Sequence, residues 1–275
     1  MMTVPDYQRV PSFFDAAALA NIETIYRDLT DHAEEVIRQA AAEKRTLAEF
    51  YHDNATLIVV PEKTAPARVC RMEYLDGSSP DFHQQITRPV QQQLEALTGE
   101  KLVLFKDKCN LKAPRGGAFP PHQDAPAYLG FGPTIFITAG IMLDALTKEN
   151  GCLHMATNYR QIAADRHSIT PAGDYPLFDF YDGGSRNGDI VDEVQQKLTW
   201  EAITAQAGDM LLFNSFVPHF SHINSSPQQR RVLYLTFNLL NEGEHYRGYY
   251  QKKWRDYSNP QFHISTPTAH AALSQ

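Results

Sequence analysis

The pattern of apolar and polar positions divides the chain near residue 100. Before that point the spacing is mostly helical. Apolar residues at Phe14, Ala17, Ala18, Ile22, Ile25 and Tyr26 predict a helix over residues 13–30, packed on one face. Asp31 followed by Glu34 has the form of a capping box and predicts a second helix to about residue 42. Residues 69–75 read as a strand. Ser79-Pro80 offers an N-cap with proline at the first helical position, so a helix is expected from there through Leu97, stopped by Gly99. Its glutamines read as a solvated outer face.

From Lys101 onward the apolar runs are short and punctuated by Gly, Pro and Asn. They predict strands over residues 101–112, 119–124, 134–143, 152–156, 201–204, 209–213, 217–223 and 231–240. About eight short strands with turn signals make a mainly β architecture with flanking α, a sandwich or a cupin-like jelly roll with the N-terminal helices packed on one sheet. Residues 167–197 break the pattern: they are rich in Asp, Gly and aromatics (Tyr175, Phe178, Phe180, Tyr181) and have no period. A long irregular insertion is a functional lid or a disordered loop, and the aromatics favour the lid. The expected organisation is one domain over residues 1–275, with a helical flank (1–100), a jelly-roll core (101–240) and a tail (241–275).

Composition narrows the class. A chain of 275 residues buries enough surface to fold without staples, and its three cysteines (Cys70, Cys109, Cys152) form no metal-ribbon spacing and suit a reducing compartment. The net charge of −7 argues against a nucleic-acid partner. Residues 1–14 do not read as a signal peptide, and residues 272–275 do not read as a peroxisomal address. With no apolar stretch near 18 residues, no membrane partner is expected and a cytoplasmic location is the default. Nothing in the pattern speaks to oligomeric state.

Two segments carry chemistry: Pro121-His122-Gln123-Asp124, and His219-Phe220-Ser221 leading to Arg230 and Arg231. His122 and Asp124, two apart on an expected strand, point to one face, and His219 on another strand can reach the same cavity. Two imidazoles and one carboxylate hold a redox-active metal with half its coordination sphere open, whereas zinc sites tend to add a third nitrogen or sulfur ligand. Taken singly each signal is weak: a lone His-x-Asp is common, and a lone histidine is often a hydrogen-bonded core residue. His222 is a rival ligand of opposite strand parity.

His122-Gln123-Asp124, Glu149-Asn150-Gly151-Cys152-Leu153, Gly208-Asp209-Met210-Leu211-Leu212-Phe213 and His219-x-Ser221-x-x-Asn224 followed by Arg230 resemble the phytanoyl-CoA dioxygenase family. The likeness spans roughly residues 101–240, and more weakly residues 244–257. It implies a double-stranded β-helix and an oxygenase dependent on iron(II) and 2-oxoglutarate, with dioxygen as the other co-substrate. It also implies that His122, Asp124 and His219 bind iron and that Arg230, a planar fork suited to a carboxylate, pairs with 2-oxoglutarate. Arg230 lies at the separation expected from His219, which favours it over His222. Thr138, Ser221 and Gln123 match positions near the co-substrate, and Arg231, of opposite parity, faces outward. The chain departs from the family at Ala156-Thr157-Asn158-Tyr159-Arg160, where a Gly-Ser-His usually stands. Asp124 argues for hydroxylation over halogenation, since halogenases of this kind replace that carboxylate by a small residue.

Lys106, Lys108, Asn110 and Lys112 share one face of the strand that precedes this motif. Such a row is ordinarily solvated; here it is expected to line the cavity, with Lys108 and Asn110 toward the co-substrate and Lys106 toward substrate. Arg115, Tyr128 and Arg160 are further candidate substrate contacts. The expected reaction is hydroxylation of an unactivated C–H bond in a small anionic or zwitterionic metabolite, such as an amino-acid derivative or aminoalkylphosphonate. The competing readings are an oxygenase of acyl-CoA or natural products, a non-catalytic jelly-roll binder, and a zinc-dependent jelly-roll enzyme.

Overall fold

The structure, a computed structural model, describes residues 5–62, 65–162 and 164–259. Its strands are β1 (Tyr7–Val10), β2 (Ile58–Glu62), β3 (Ala65–Glu73), β4 (Leu102–Lys112), β5 (Phe119–His122), β6 (Phe136–Met142) and β7 (Leu153–Ala156). They continue as β8 (Arg166–Thr170), β9 (Gly173–Leu177), β10 (Trp200–Ile203), β11 (Met210–Asn214), β12 (His219–Ser221) and β13 (Arg230–Leu239). The α-helices are α1 (Ala16–Ala42), α2 (Leu47–Asp53), α3 (Leu75–Ser78), α4 (Pro80–Phe82), α5 (Arg88–Thr98), α6 (Ala125–Tyr128), α7 (Asp192–Gln195) and α8 (Tyr246–Arg255).

The strands form a large sheet of order β1-β11-β6-β13-β4-β3-β2 and a small one of order β10-β7-β12-β5, with β8 and β9 as a separate hairpin. Neighbouring strands run antiparallel. This is the jelly roll that the run of short strands predicts, closed by the first strand pairing with β11 near the end of the core. The alternation along β4 and β13 separates two environments. On one face Cys109 and Leu233 meet Ile22, Ile25 and Leu29 of α1 and Phe82 and Ile86 of the following helical segment. On the other face, Lys106, Lys108, Asn110, Tyr234 and Thr236 line a cavity between the sheets.

Three local expectations change. The two N-terminal helices are one, α1, running through Asp31 and Glu34, which are exposed on its solvent side. Burial of Leu29, Ala33 and Val36 in an unbroken stripe outweighs the local capping signal. The helix starts instead at Asp15, whose carboxylate accepts from the Ala18 amide. The expected strand over residues 119–124 ends at His122, and Asp124 turns the chain into α6, where a proline sits in the first turn. The insertion is a β8–β9 hairpin followed by short helical turns, with Tyr175 and Phe178 buried. By contrast, Ser79 caps the next helix through the Phe82 amide and Gly99 ends it in a left-handed conformation, φ 72°, as the pattern foretells.

Asp107, on the outer face of β4, ties the C-terminal helix to the sheet. Its carboxylate accepts from the Leu75 and Asp76 amides (2.8 and 2.9 Å) and from the hydroxyls of Tyr246 (2.9 Å) and Tyr250 (3.2 Å). Residues one turn further round the helix, Tyr249 and Lys253, are thereby held against the inner end of the sheet. Removing a fully buried acceptor of this kind strands its donors, at about 1–3 kcal/mol or more. Asp107→Ala is therefore expected to lower the urea-unfolding free energy by at least about 2 kcal/mol; a loss under about 0.5 kcal/mol would contradict this role.

Candidate metal and co-substrate site

β12 lies between β7 and β5, and its register sets His219 directly opposite His122. The two imidazoles stand with ring centroids 4.2 Å apart. Each is oriented by its own backbone: Nδ1 of His122 donates to the Pro120 carbonyl (2.7 Å) and Nδ1 of His219 to the Val217 carbonyl (3.0 Å). That fixes the tautomer and leaves both Nε2 atoms free to bind a metal. Asp124 reaches the same point from the start of α6, with its Oδ1 3.8 Å from His122 Nε2. One ligand atom from each of the three residues lies within 4.8 Å of the others, so the trio could hold one metal ion.

Electrostatics suit that role. Burial, with His219 beside it, pulls the pKa of His122 down to about 3. Burial also lowers the pKa of His219. Burial pushes the Asp124 carboxyl upward, but His219, Lys108 and His122 together hold it below its ordinary value. At neutral pH the trio is thus two neutral imidazoles and a carboxylate, the protonation state a metal requires.

The cavity over this trio is small, about 60 Å³. Arg230, at the first position of β13, is 2% exposed and lines it. Its Nη2 donates to the Gly151 carbonyl (2.9 Å), while Nε and Nη1 make no hydrogen bond. Gly151 sits at φ 74°, and a Cβ there would collide with the His222 carbonyl oxygen, so only glycine offers this acceptor so near. Lys112, opposite Arg230 in the ladder, donates to Ser221 Oγ (2.8 Å) and the His222 carbonyl (2.5 Å). Ser221 and Thr138 both line the cavity, and Thr138 Oγ1 is 2.9 Å from Thr236 Oγ1.

The structure brings Lys106, Lys108, Asn110 and Tyr128 to the wall of the cavity. It does not bring Gln123, Arg115 or Arg160. The Gln123 amide is consumed by the insertion and the β11–β12 connection, donating to the Pro176 and Phe216 carbonyls (2.9 and 2.6 Å) and accepting from the Phe178 amide (2.9 Å). Arg115 is exposed in a turn at φ 64°, and Arg160 pairs with Asp6 (2.6 Å) and lies over the Tyr175 ring. Arg231 faces outward to Asp144 and Glu23, and His222 is exposed beside His154. The sequence reading missed Arg71 of β3, which lines the cavity and contacts Glu73 (2.9 Å). Its signal was the same alternation that marks β4: Cys70 and Met72 on one side, Arg71 and Glu73 on the other.

A jelly roll with two histidines, an aspartate and an arginine around one cavity defines a protein built for a single metal ion and an anionic co-substrate. The phytanoyl-CoA dioxygenase family model matches residues 7–232, and the chain belongs to that family. It is similar to the methylphosphonate hydroxylase of Gimesia maris, 33% identical over 253 residues, 92% of this chain and 84% of that one. It is also similar to the 2-aminoethylphosphonate dioxygenase of Uncultured bacterium HF130_AEPn_1, 30% identical over 236 residues, 84% of this chain and 79% of that one. The solved structure of EctD from S. alaskensis with 2-oxoglutarate and 5-hydroxyectoine shares the fold (TM-score 0.59, 15% identity, 86% of this chain and 73% of that one). The protein is an oxygenase that depends on iron and 2-oxoglutarate. Among the described residues no helix is long and apolar enough to cross a membrane.

Because the native pKa of His122 lies far below its unfolded value of about 6.5, the unfolded chain takes up a proton that the metal-free native site refuses. Stability is therefore expected to be present above pH 6.5 and to fall as pH drops from about 6.5 toward about 3. His122→Gln in the metal-free protein should flatten that dependence by about one proton, or roughly 1.4 kcal/mol per pH unit. Urea unfolding at pH 7, 6, 5 and 4 checks it, and parallel slopes would refute it.

Proposed function

We propose that the protein hydroxylates a C–H bond of a small phosphonate, with iron(II) held by His122, Asp124 and His219 and 2-oxoglutarate held by Arg230. The observation that carries this reading is the Arg230 guanidinium, buried in the cavity of the trio with two of its three nitrogens unbonded. A buried cation with idle donors is costly unless an anion completes it, and a carboxylate takes two parallel hydrogen bonds from such a fork. When bound, the iron and 2-oxoglutarate supply the dioxygen chemistry that oxidises an unactivated C–H bond.

The protein's part is placement. The cross-strand histidines and Asp124 would hold the metal through three protein ligands, which would leave it positions for the co-substrate. Lys112 fixes Ser221 beside Arg230, so that the carboxylate end is met by a pre-set row of donors, with Thr138 completing the wall. Tyr128, Phe119 and Phe220 line the cavity and exclude water from the reacting face. The basic wall of the cavity favours an anionic substrate. The phosphonate relatives supply the substrate class.

His122→Ala and Asp124→Ala are expected to abolish oxygen-dependent succinate formation from 2-oxoglutarate in the presence of methylphosphonate or 2-aminoethylphosphonate. Arg230→Met should raise the KM for 2-oxoglutarate by about 30-fold or more, the loss of a buried charge-assisted pair. Succinate production that survives either ligand substitution, or turnover confined to acyl-CoA substrates, would overturn the proposal.

A further inference from the structure

The cavity has a second basic pole that the metal and Arg230 do not use. β13 and β4 pair so that Arg230 faces Lys112 and Thr236 faces Lys106. Lys106 and Lys112 are six residues apart on one strand, which at about 3.3 Å per residue separates their backbones by roughly 20 Å. A single 2-oxoglutarate, whose carboxylates lie a few ångströms apart, cannot serve both ends. Toward the far end Lys106 and Lys108 line the same cavity, joined by Arg71, whose backbone pairs with Asn110 and whose guanidinium lies against Glu73, the residue opposite Lys108.

One buried carboxylate, Glu73, acts on all three cations and is shared with Lys253. Glu73 Oε1 lies 2.9 Å from Arg71 Nε, and Lys253 Nζ lies 2.6 Å from Glu73 Oε2, so one carboxylate orients Arg71 from behind. Lys106 Nζ stands 5.2 Å from the ring centres of both Tyr128 and Tyr249 and donates to the Tyr249 hydroxyl. Lys108 Nζ lies 5.4 Å from the Tyr234 ring centre. Aromatic faces stabilise a cation weakly compared with an anion. Asp124, which the metal claims, is the sole carboxylate among the described residues that line the cavity. Burial and the neighbouring Lys106 pull the pKa of Lys108 down to about 8, against the opposing effect of Asp124 and Glu73.

We infer that Arg71, Lys106 and Lys108 form a cradle for the phosphonate group of the substrate, at the opposite pole of the cavity from the 2-oxoglutarate carboxylate on Arg230. The inference rests on the proposed function and adds the residues that read the substrate. A phosphonate dianion presents three oxygens to three convergent cations, and its attached carbon then lies between the cradle and the metal trio, where the C–H bond has to be. Glu73 and Lys253 are positioning residues for Arg71 and touch no ligand.

Anaerobic calorimetry on the iron(II)-loaded protein separates the two poles, with 2-oxoglutarate titrated first and methylphosphonate second. Lys106→Met, at the end of the strand away from Arg230, is expected to weaken methylphosphonate binding by about tenfold or more while changing 2-oxoglutarate affinity less than about threefold. Lys108→Met should also weaken methylphosphonate, measured at equal iron loading because Lys108 helps to hold Asp124 ionised, and Arg71→Lys, which keeps Glu73 neutralised, should weaken methylphosphonate through loss of the fork. Arg230→Met should do the reverse, weakening 2-oxoglutarate. Variants at Lys106 and Lys108 that retain methylphosphonate affinity within about threefold, or that lose 2-oxoglutarate instead, would overturn the cradle and leave the parent reading standing. Wild-type protein that fails to bind 2-oxoglutarate would overturn the parent reading and the cradle with it.

Discussion

The site depends on one register: His219 opposite His122 across the β12–β5 pair. A slip of one residue would turn one imidazole to the other side of the sheet, because side chains alternate at every position. Neither strand is long enough to fix this alone, since β12 has three residues and β5 four. The register is held by the second neighbour, where His219 pairs with Met155 of β7, and by the fit of Phe213 against the His219 ring. Asp124 then needs no strand of its own. The chain leaves β5 at His122, turns, and presents the carboxylate from the first turn of α6.

Opposite the histidines, the large sheet turns a charged face inward, the reverse of the usual arrangement. Arg71, Lys106 and Arg230 are each at most 6% exposed, and their burial is tolerable only where charge is answered. Glu73 answers part of it, held ionised by Lys253 and Arg71 against the burial that would neutralise it. On the proposed reading the remainder is left for ligands. The same sheet keeps its other face apolar against α1, so one strand, β4, serves at once as core and as binding wall. Stability and recognition are thereby divided by strand parity. Asp107 joins the two sides by fastening the helix that carries Tyr249 and Lys253.

Most of the architecture was legible because its signals are local. Short apolar runs between Gly, Pro and Asn located the eight core strands, and Ser79 and Gly99 marked the ends of a helical stretch by the backbone groups they satisfy. The His-x-Asp motif, His219 and Arg230 were readable by type and spacing. What was missed is what tertiary contact decides. Asp31 and Glu34 look like a helix start until the buried stripe beneath them is known to be continuous. Asp124 looked like a strand residue because nothing in His-x-Asp announces a turn, although Pro126 in the next helix carries that signal. Gln123 seemed aimed at the cavity, yet the insertion and the β11–β12 connection take all of its amide. Arg71 lies far away in sequence, and only the pairing of β3 with β4 sets it beside Asn110.

The central claim is that iron(II) on the His122–Asp124–His219 trio and 2-oxoglutarate on Arg230 occupy one cavity together. Titrating the anaerobic iron(II)-loaded protein with 2-oxoglutarate and recording the visible spectrum tests it most directly. The account predicts a charge-transfer band that saturates at one co-substrate per chain, vanishes in His219→Ala and persists in His222→Ala. A spectrum unchanged by 2-oxoglutarate, or a band lost with His222 and retained without His219, would contradict it.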